Sequence, residues 1–231
     1  MERHFEEELD KLKSRILKMG NLVADQIHNT MLALLTCDIA LASQVILNDK
    51  IVDKLDVKID KLCQRIFALQ QPVATDLRMI MSSLKMNNDL ERMGDHAVGI
   101  ASKIDSISEY PEIVKELGME ELIRMTDIIV KDVMTILNSW NTTFVLDIFN
   151  QAGAIEDLSQ KIADRILTEM GQKKEVIVVA SSLMIVLTQI ERIAGYSTNI
   201  AESIVFIVDG KMIKHKKPQS LFLDPDTEKG E

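Results

Sequence analysis

The sequence predicts an all-α protein made of two tandem three-helix bundles, six long helices in all, and three observations carry that prediction. Hydrophobic residues make up 46% of the chain but aromatics only 4%. The core is therefore aliphatic, drawn from Leu, Ile, Val, Ala and 13 Met, which suits helices better than strands. Only nine Gly and four Pro interrupt 231 residues, too few for the tight turns of an all-β chain. Apolar residues also recur at three and four positions over long stretches, the period of one buried helix face, and they do so twice.

The first helix is predicted from about Phe5 to Leu35, on the stripe Leu9, Leu12, Ile16, Met19 and Val23. The second starts near Asp38, whose short carboxylate suits a helix N-cap, and carries Val45, Val52, Leu55, Ile59, Leu62 and Ile66 until Pro72 ends it. The third runs from Thr75 to Ile107 through Ile80, Leu90, Met93, Ala97, Ile100 and Ile104, and Ser108-Glu109-Tyr110-Pro111 then punctuates the midpoint. Three further helices are predicted at Pro111 to Trp140, Thr143 to Met170 and Lys174 to Val208.

Register makes this a duplication. Leu90 to Ile104 against Ile190 to Ile204 gives five identities in fifteen positions, where ordinary residue frequencies give about one. Val52, Leu55 and Ile59 match Ile155, Leu158 and Ile162 in the earlier helices. Small residues recur in step as well, with Gly94, Ala97 and Ala101 opposite Ala194, Ser197 and Ala201, and these form a packing seam. The predicted organisation is a first repeat at residues 1–108, a second at 109–210 and a flexible tail at 211–231 containing Lys211, Lys214, Lys216 and Lys217.

A formal net charge of −9 repels a phosphate backbone, so nucleic acid is not an expected partner. Cys37 and Cys63 form no C-x-x-C motif and fall in helical stretches, which reads as reduced thiols in a cytoplasmic protein. The charged start Met1-Glu2-Arg3-His4 lacks the apolar stretch of a signal peptide. The apolar segment Val176 to Leu187 is shorter than the ~20 residues that span a bilayer, so no transmembrane helix is expected.

The candidate chemistry lies in acidic pairs spaced four apart, which share a helix face: Asp49/Asp53 and Asp56/Asp60 in the second helix, Glu91/Asp95 in the third. Like charges at that spacing repel by ~0.2 to 0.5 kcal/mol per pair, so neighbouring cationic side chains or a bound cation should compensate. Adjacent antiparallel helices bring Asp49/Asp53 opposite Glu91/Asp95, and four carboxylates suit Mg, Mn or Fe. Asp56, Asp60 and Asp89 are weaker candidates for the same site. With Lys50, Lys54, Lys58, Arg65 and Arg92 nearby, a solvated face without metal is the competing reading. His96 points about 100° away from Asp95 and reads as a bystander.

The chain has no Glu-x-x-His pair of a di-iron bundle, phosphate-cradling glycine loop or nucleophile elbow. That disfavours an enzyme, although a metal-dependent carboxylate enzyme and a metal-free helical interaction module both remain as alternatives.

Two strings carry a family signature: Gln71-Pro72-Val73-Ala74-Thr75-Asp76-Leu77-Arg78, and Asn88-Asp89-Leu90-Glu91-Arg92-Met93-Gly94-Asp95-His96-Ala97. Together with Lys18-Met19-Gly20, Ile190-Glu191-Arg192-Ile193 and Thr198-Asn199-Ile200-Ala201-Glu202, they closely resemble the PhoU family of phosphate-signalling regulators. The resemblance spans nearly the whole chain. It implies two PhoU repeats and a non-enzymatic cytoplasmic regulator that couples a phosphate ABC transporter, through its ATPase subunit, to a membrane sensor histidine kinase. Such a regulator represses the phosphate-starvation response when phosphate is ample. The resemblance also implies a homodimer, peripheral membrane association through those partners, and metal held by (Glu/Asp)-x-x-x-Asp motifs, here Asp49/Asp53 and Glu91/Asp95.

The second repeat departs from that pattern. Gly195 stands at the position of Asp95, Gln189 at Asp89, Ala152 at Asp49 and Tyr196 at His96. Glu156 and Glu191 alone remain there, a degenerate second site in an asymmetric protein.

Overall fold

The computed structural model describes residues 2–69 and 72–213. The first repeat contains α1 (Glu2–Thr36), α2 (Ile39–Leu69) and α3 (Ala74–Ala101), extended by the short α4 (Ile104–Ile107). A short α5 (Glu112–Glu116) leads into α6 (Met119–Ser139) and α7 (Val145–Gln172). A 3-10 turn over Lys174–Val176 then opens α8 (Ile177–Asp209). The six long helices fall where the apolar periodicity places them, and no strand occurs among the described residues.

Local chemistry sets several ends. Asp38 caps α2, its Oδ1 accepting the Leu41 N–H at 2.9 Å. Gly118 at φ +78° and Gly210 at φ +69° take the left-handed turns before α6 and after α8. Two predicted helices are broken. The third does not run unbroken to Ile107, because the chain turns at Ser102-Lys103 between α3 and α4. The fourth is split at Leu117-Gly118, where only glycine adopts the left-handed conformation without strain. Cys37 lies in the turn between α1 and α2 at φ +52° rather than within a helix.

Each repeat packs its three long helices mutually, around Leu12, Ile16, Ile59 and Met93 in the first and Ile136, Ile155, Ile162 and Ile193 in the second. The repeats are not separate bodies. The most extensive helix contact among the described residues joins α3 to α8, across the duplication, and α1 packs on α6. Lys85–Glu202 at 3.6 Å, Asn199 donating to Asp89 at 3.4 Å and Ser106–Ser182 at 2.8 Å show that α3–α4 and α8 run antiparallel. The α1–α6 seam is antiparallel too: Gly20 meets Leu137 and Met134, while His28 Nδ1 lies 3.4 Å from Asp127 Oδ2. The two repeats are thus related by an internal pseudo-two-fold axis.

With its opening 3-10 turn, α8 is long and apolar enough to cross a membrane by length and composition, which the shorter Val176–Leu187 reading did not anticipate. In this fold it packs against α3, α6 and α7, with Leu183, Val186, Ile190, Ile193 and Ile200 buried. The predicted tail lies outside the described residues from Lys214 onward.

Candidate functional site

The acidic face forms where α2 and α3 come close. Gly94 on α3 lies at this approach: a Cβ there would sit 3.4 Å from Gln26 Oε1 and 3.5 Å from Asp49 Oδ1, ordinary contact distances. The predicted seam of small residues therefore serves contacts inside the first bundle, and its Ala97 carbonyl accepts from Thr30 of α1 at 3.4 Å. Asp49 and Asp53 project from α2 toward Glu91 and Asp95 on α3, with Asp56 and Asp60 further along α2. Asp53 and Asp95 are exposed, while Asp49, Asp56, Asp60 and Glu91 are half-buried.

Two amides hold this face in place, and sequence reasoning missed both. Gln26 Nε2 donates to Asp49 Oδ1 at 2.8 Å. Asn87 Nδ2 donates to Asp56 Oδ1 at 2.6 Å, the Asp56 carbonyl at 3.2 Å and Asp60 Oδ1 at 3.0 Å. The signal was available, because both amides stand in otherwise apolar stripes, and a buried amide needs a partner.

Electrostatics unify the face. Burial pushes the Asp49 carboxyl above its usual range, and the charges of Asp53 and Asp95 add to this against the opposing Gln26 hydrogen bond. Burial raises Asp56 as well, followed by the charge of Asp60, with Asn87 opposing and Asp53 adding. Glu91 is raised by burial and by Asp95, then by Asp56 and Asp53, while Arg92 opposes. Arg92 reaches Asp95 at 3.2 Å and Glu91 at 3.5 Å, one cation among six carboxylates. Arg65 turns to α1, where it grips Glu8, and the Lys58 backbone carbonyl accepts from Arg15.

Asp89 does not belong to this face. It is 4% exposed against α8, where its Oδ1 accepts from Asn199. His96 also faces α8: its Nδ1 contacts the Gln189 side-chain oxygen, and its ring stacks on Tyr196 with centroids 5.5 Å apart. In the second repeat burial raises the Glu191 carboxyl, and the charge of Glu156 raises it further. Gly195 there has open space where Asp95 carries its carboxylate, with nothing within 4 Å of an added Cβ.

The donor set of the first repeat is carboxylate oxygen throughout, matching hard divalent cations. Its mutual repulsion is what a cation would relieve. Among the described residues, no three His, Cys, Asp or Glu side chains converge closely enough to hold a metal ion as they stand. The face is an acidic surface on which Asp53 and Asp95 are exposed. Both cysteines are free, and burial pushes the Cys63 thiol up to about 12, a chemically quiet group.

A family model described as the PhoU domain matches the chain twice, over residues 16–104 and 119–204, each match running through the three long helices of one repeat, the first from within α1 and the second to within α8. The chain belongs to the PhoU family. A phosphate-specific transport system accessory protein PhoU homolog from Clostridium acetobutylicum is 32% identical over 90% of this chain and 96% of its own length. The homolog of the same name from Pseudomonas putida is 30% identical over 92% of this chain and 84% of its own. The crystal structure of PhoU from Pseudomonas aeruginosa superposes with a TM-score of 0.85 at 28% identity, covering 90% of this chain and all of that one. The helical duplication is thus a PhoU architecture, in which the four acidic positions Asp49, Asp53, Glu91 and Asp95 of the first repeat reduce to Glu156 and Glu191 in the second.

Proposed function

We propose that this chain is a cytoplasmic, non-catalytic accessory protein of phosphate-specific transport. It couples the ATPase subunit of a phosphate ABC transporter to a sensor histidine kinase and represses the phosphate-starvation response when phosphate is ample. The observation that carries this reading is the match of both repeats to the PhoU domain, together with relatives named as accessory proteins of phosphate-specific transport over nearly their whole length. Membrane association is peripheral, through those partners, and the working form is a homodimer.

Within this role the α2–α3 face binds Mg, Mn or Fe through Asp49, Asp53, Glu91 and Asp95, with Asp56 and Asp60 adjoining. A bound ion there supplies positive charge that neutralises the face and presents it to a partner. Gln26 and Asn87 orient the carboxylates; Arg92 supplies partial neutralisation without metal. An enzyme of the same carboxylates needs an enclosed pocket with an open coordination position. Exposed Asp53 and Asp95 give no support to that reading.

The test is deletion of the gene, with a starvation-responsive reporter read in high phosphate. The reporter should be derepressed in the deletion strain and silenced again by the wild-type chain. Normal repression without the protein would reject the assignment.

A further inference from the structure

The α3–α8 seam closes differently at its two ends. At one end the Ser106–Ser182 hydrogen bond joins α4 to the start of α8. At the other a half-open cavity of about 210 Å3 lies between α3 and α8, walled by Met81, Phe206, Met212 and Ile213, with the Lys85–Glu202 pair among its lining. Beside it Val73, at the N-cap of α3, and Leu77, Met81 and Leu84 follow one another at four, four and three residues and so share one side of the helix. All four are exposed, and Met212 across the cavity is 74% exposed.

The fold does not require this stripe. One repeat along, the same positions read Lys173, Ile177, Ser181 and Met184, with Glu112 in the place of Met212 and Ser106 in the place of Phe206. Positions that take lysine, serine and glutamate in one repeat and large apolar side chains in the other answer to something outside the bundle. The charges beside the stripe carry both signs. Arg78, one turn before Met81 and Ser82, lies against Gly210 at the end of α8, its Nε buried without a hydrogen-bond partner. Lys211 and Asp209 are exposed on either side of Gly210, and Lys85 faces Glu202. An anionic bilayer or an acidic protein would suit Arg78, Lys85 and Lys211 but set Glu202 and Asp209 against like charge. A two-fold contact between identical patches presents each sign to the other. In a chain of net charge −9, two copies also repel least where cations offset the carboxylates.

We propose that the α3 stripe and the mouth of this cavity form the face through which two copies of this chain associate, about a two-fold axis that passes near Met81. The proposal rests on the homodimer stated above and names its surface. Met81 lies close to midway between Leu77 and Leu84, so a two-fold perpendicular to α3 there sets Leu77 of one copy against Leu84 of the other and closes the cavity mouth. Methionine, unbranched and polarizable, adapts its shape to such a joint.

Light scattering and sedimentation of the full-length chain test this face. The wild type should have twice the 26.1 kDa chain mass. Leu77→Glu with Leu84→Glu, and separately Met81→Lys, should each weaken dimerisation at least a hundred-fold, because each buries a charge opposite apolar side chains. Both change exposed positions, so helical circular dichroism should stay as in the wild type. Ile177→Glu with Ile185→Glu, exposed positions on α8, is the control and should remain dimeric. A monomeric wild type would overturn this face and the homodimer together. A dimer that survives both stripe variants would overturn the face alone and leave the homodimer to another surface. Equal loss in the α8 control would also overturn it.

Discussion

The α2–α3 pair of the first repeat and the α7–α8 pair of the second share their packing and differ in their charge. Ile59 and Ile162 are fully buried at matched positions, as are Ile100 and Ile200. The acidic positions have drifted: Asp49 against Ala152, Asp95 against Gly195, with Glu156 and Glu191 left as one coupled pair. Core positions answer to volume and hydrophobicity, which both bundles need, whereas an exposed carboxylate answers only to what it binds. The molecule thus carries its own control, a second acidic position that has lost half of each pair without losing the fold.

The shared packing sets the largest expected effect. Ile59→Ala and Ile162→Ala should each destabilise by about 2 to 5 kcal/mol, read by chemical denaturation. A large inequality between them would show that the two bundles do not contribute alike. The charge difference comes next. Asp53→Asn with Asp95→Asn should weaken Mg or Mn binding at least ten-fold by calorimetry, while Glu156→Gln with Glu191→Gln leaves it unchanged. Equal losses would move the site off the first repeat, and unchanged binding in the first double variant would refute the assignment.

A smaller effect follows from protons. Asp49, Asp56 and Glu91 hold their protons more tightly in the folded chain than in an unfolded one. Stability therefore rises as pH falls through the raised carboxyl values, and the gain is complete once pH drops below the usual carboxylate range. Metal-free Asp53→Asn should flatten this rise in Tm as pH falls toward the usual carboxylate range of about 4; a wild-type Tm no different from that of Asp53→Asn across that titration would contradict the coupling. Least of all, Gly195→Ala should stabilise by about 0.5 to 1 kcal/mol, since a methyl there meets nothing and helix propensity improves.

The six long helices were legible because each keeps an apolar stripe for twenty residues or more. The breaks were less so. Ile100, Ile104 and Ile107 keep their helical spacing straight through the turn at Ser102-Lys103, so periodicity alone shows no interruption. Gly118 was a readable stop signal before Met119, overlooked because the stripe resumes at once. At the site, i,i+4 spacing was enough to bring Asp49, Asp53, Glu91 and Asp95 to one face, because spacing fixes direction along a helix. It could not place Asp89, whose burial depends on α8, more than a hundred residues away in sequence. Gln26 and Asn87 were lost for a similar reason: an amide among apolar residues is recognisable, but its partner is set by neighbouring helices.

The stack of His96 on Tyr196 has an evolutionary meaning. Near a two-fold axis between identical repeats, that position would face its own copy, histidine on histidine or tyrosine on tyrosine. A mutation would then change both sides together. Joining the repeats in one chain releases that constraint, so a ring with a titratable nitrogen faces a phenol, and Gln189 is free to meet His96 while Asp89 meets Asn199. Fusion therefore turns a symmetric joint into one whose two sides can be selected separately, and the drift of the second acidic face is the same freedom at work on the surface.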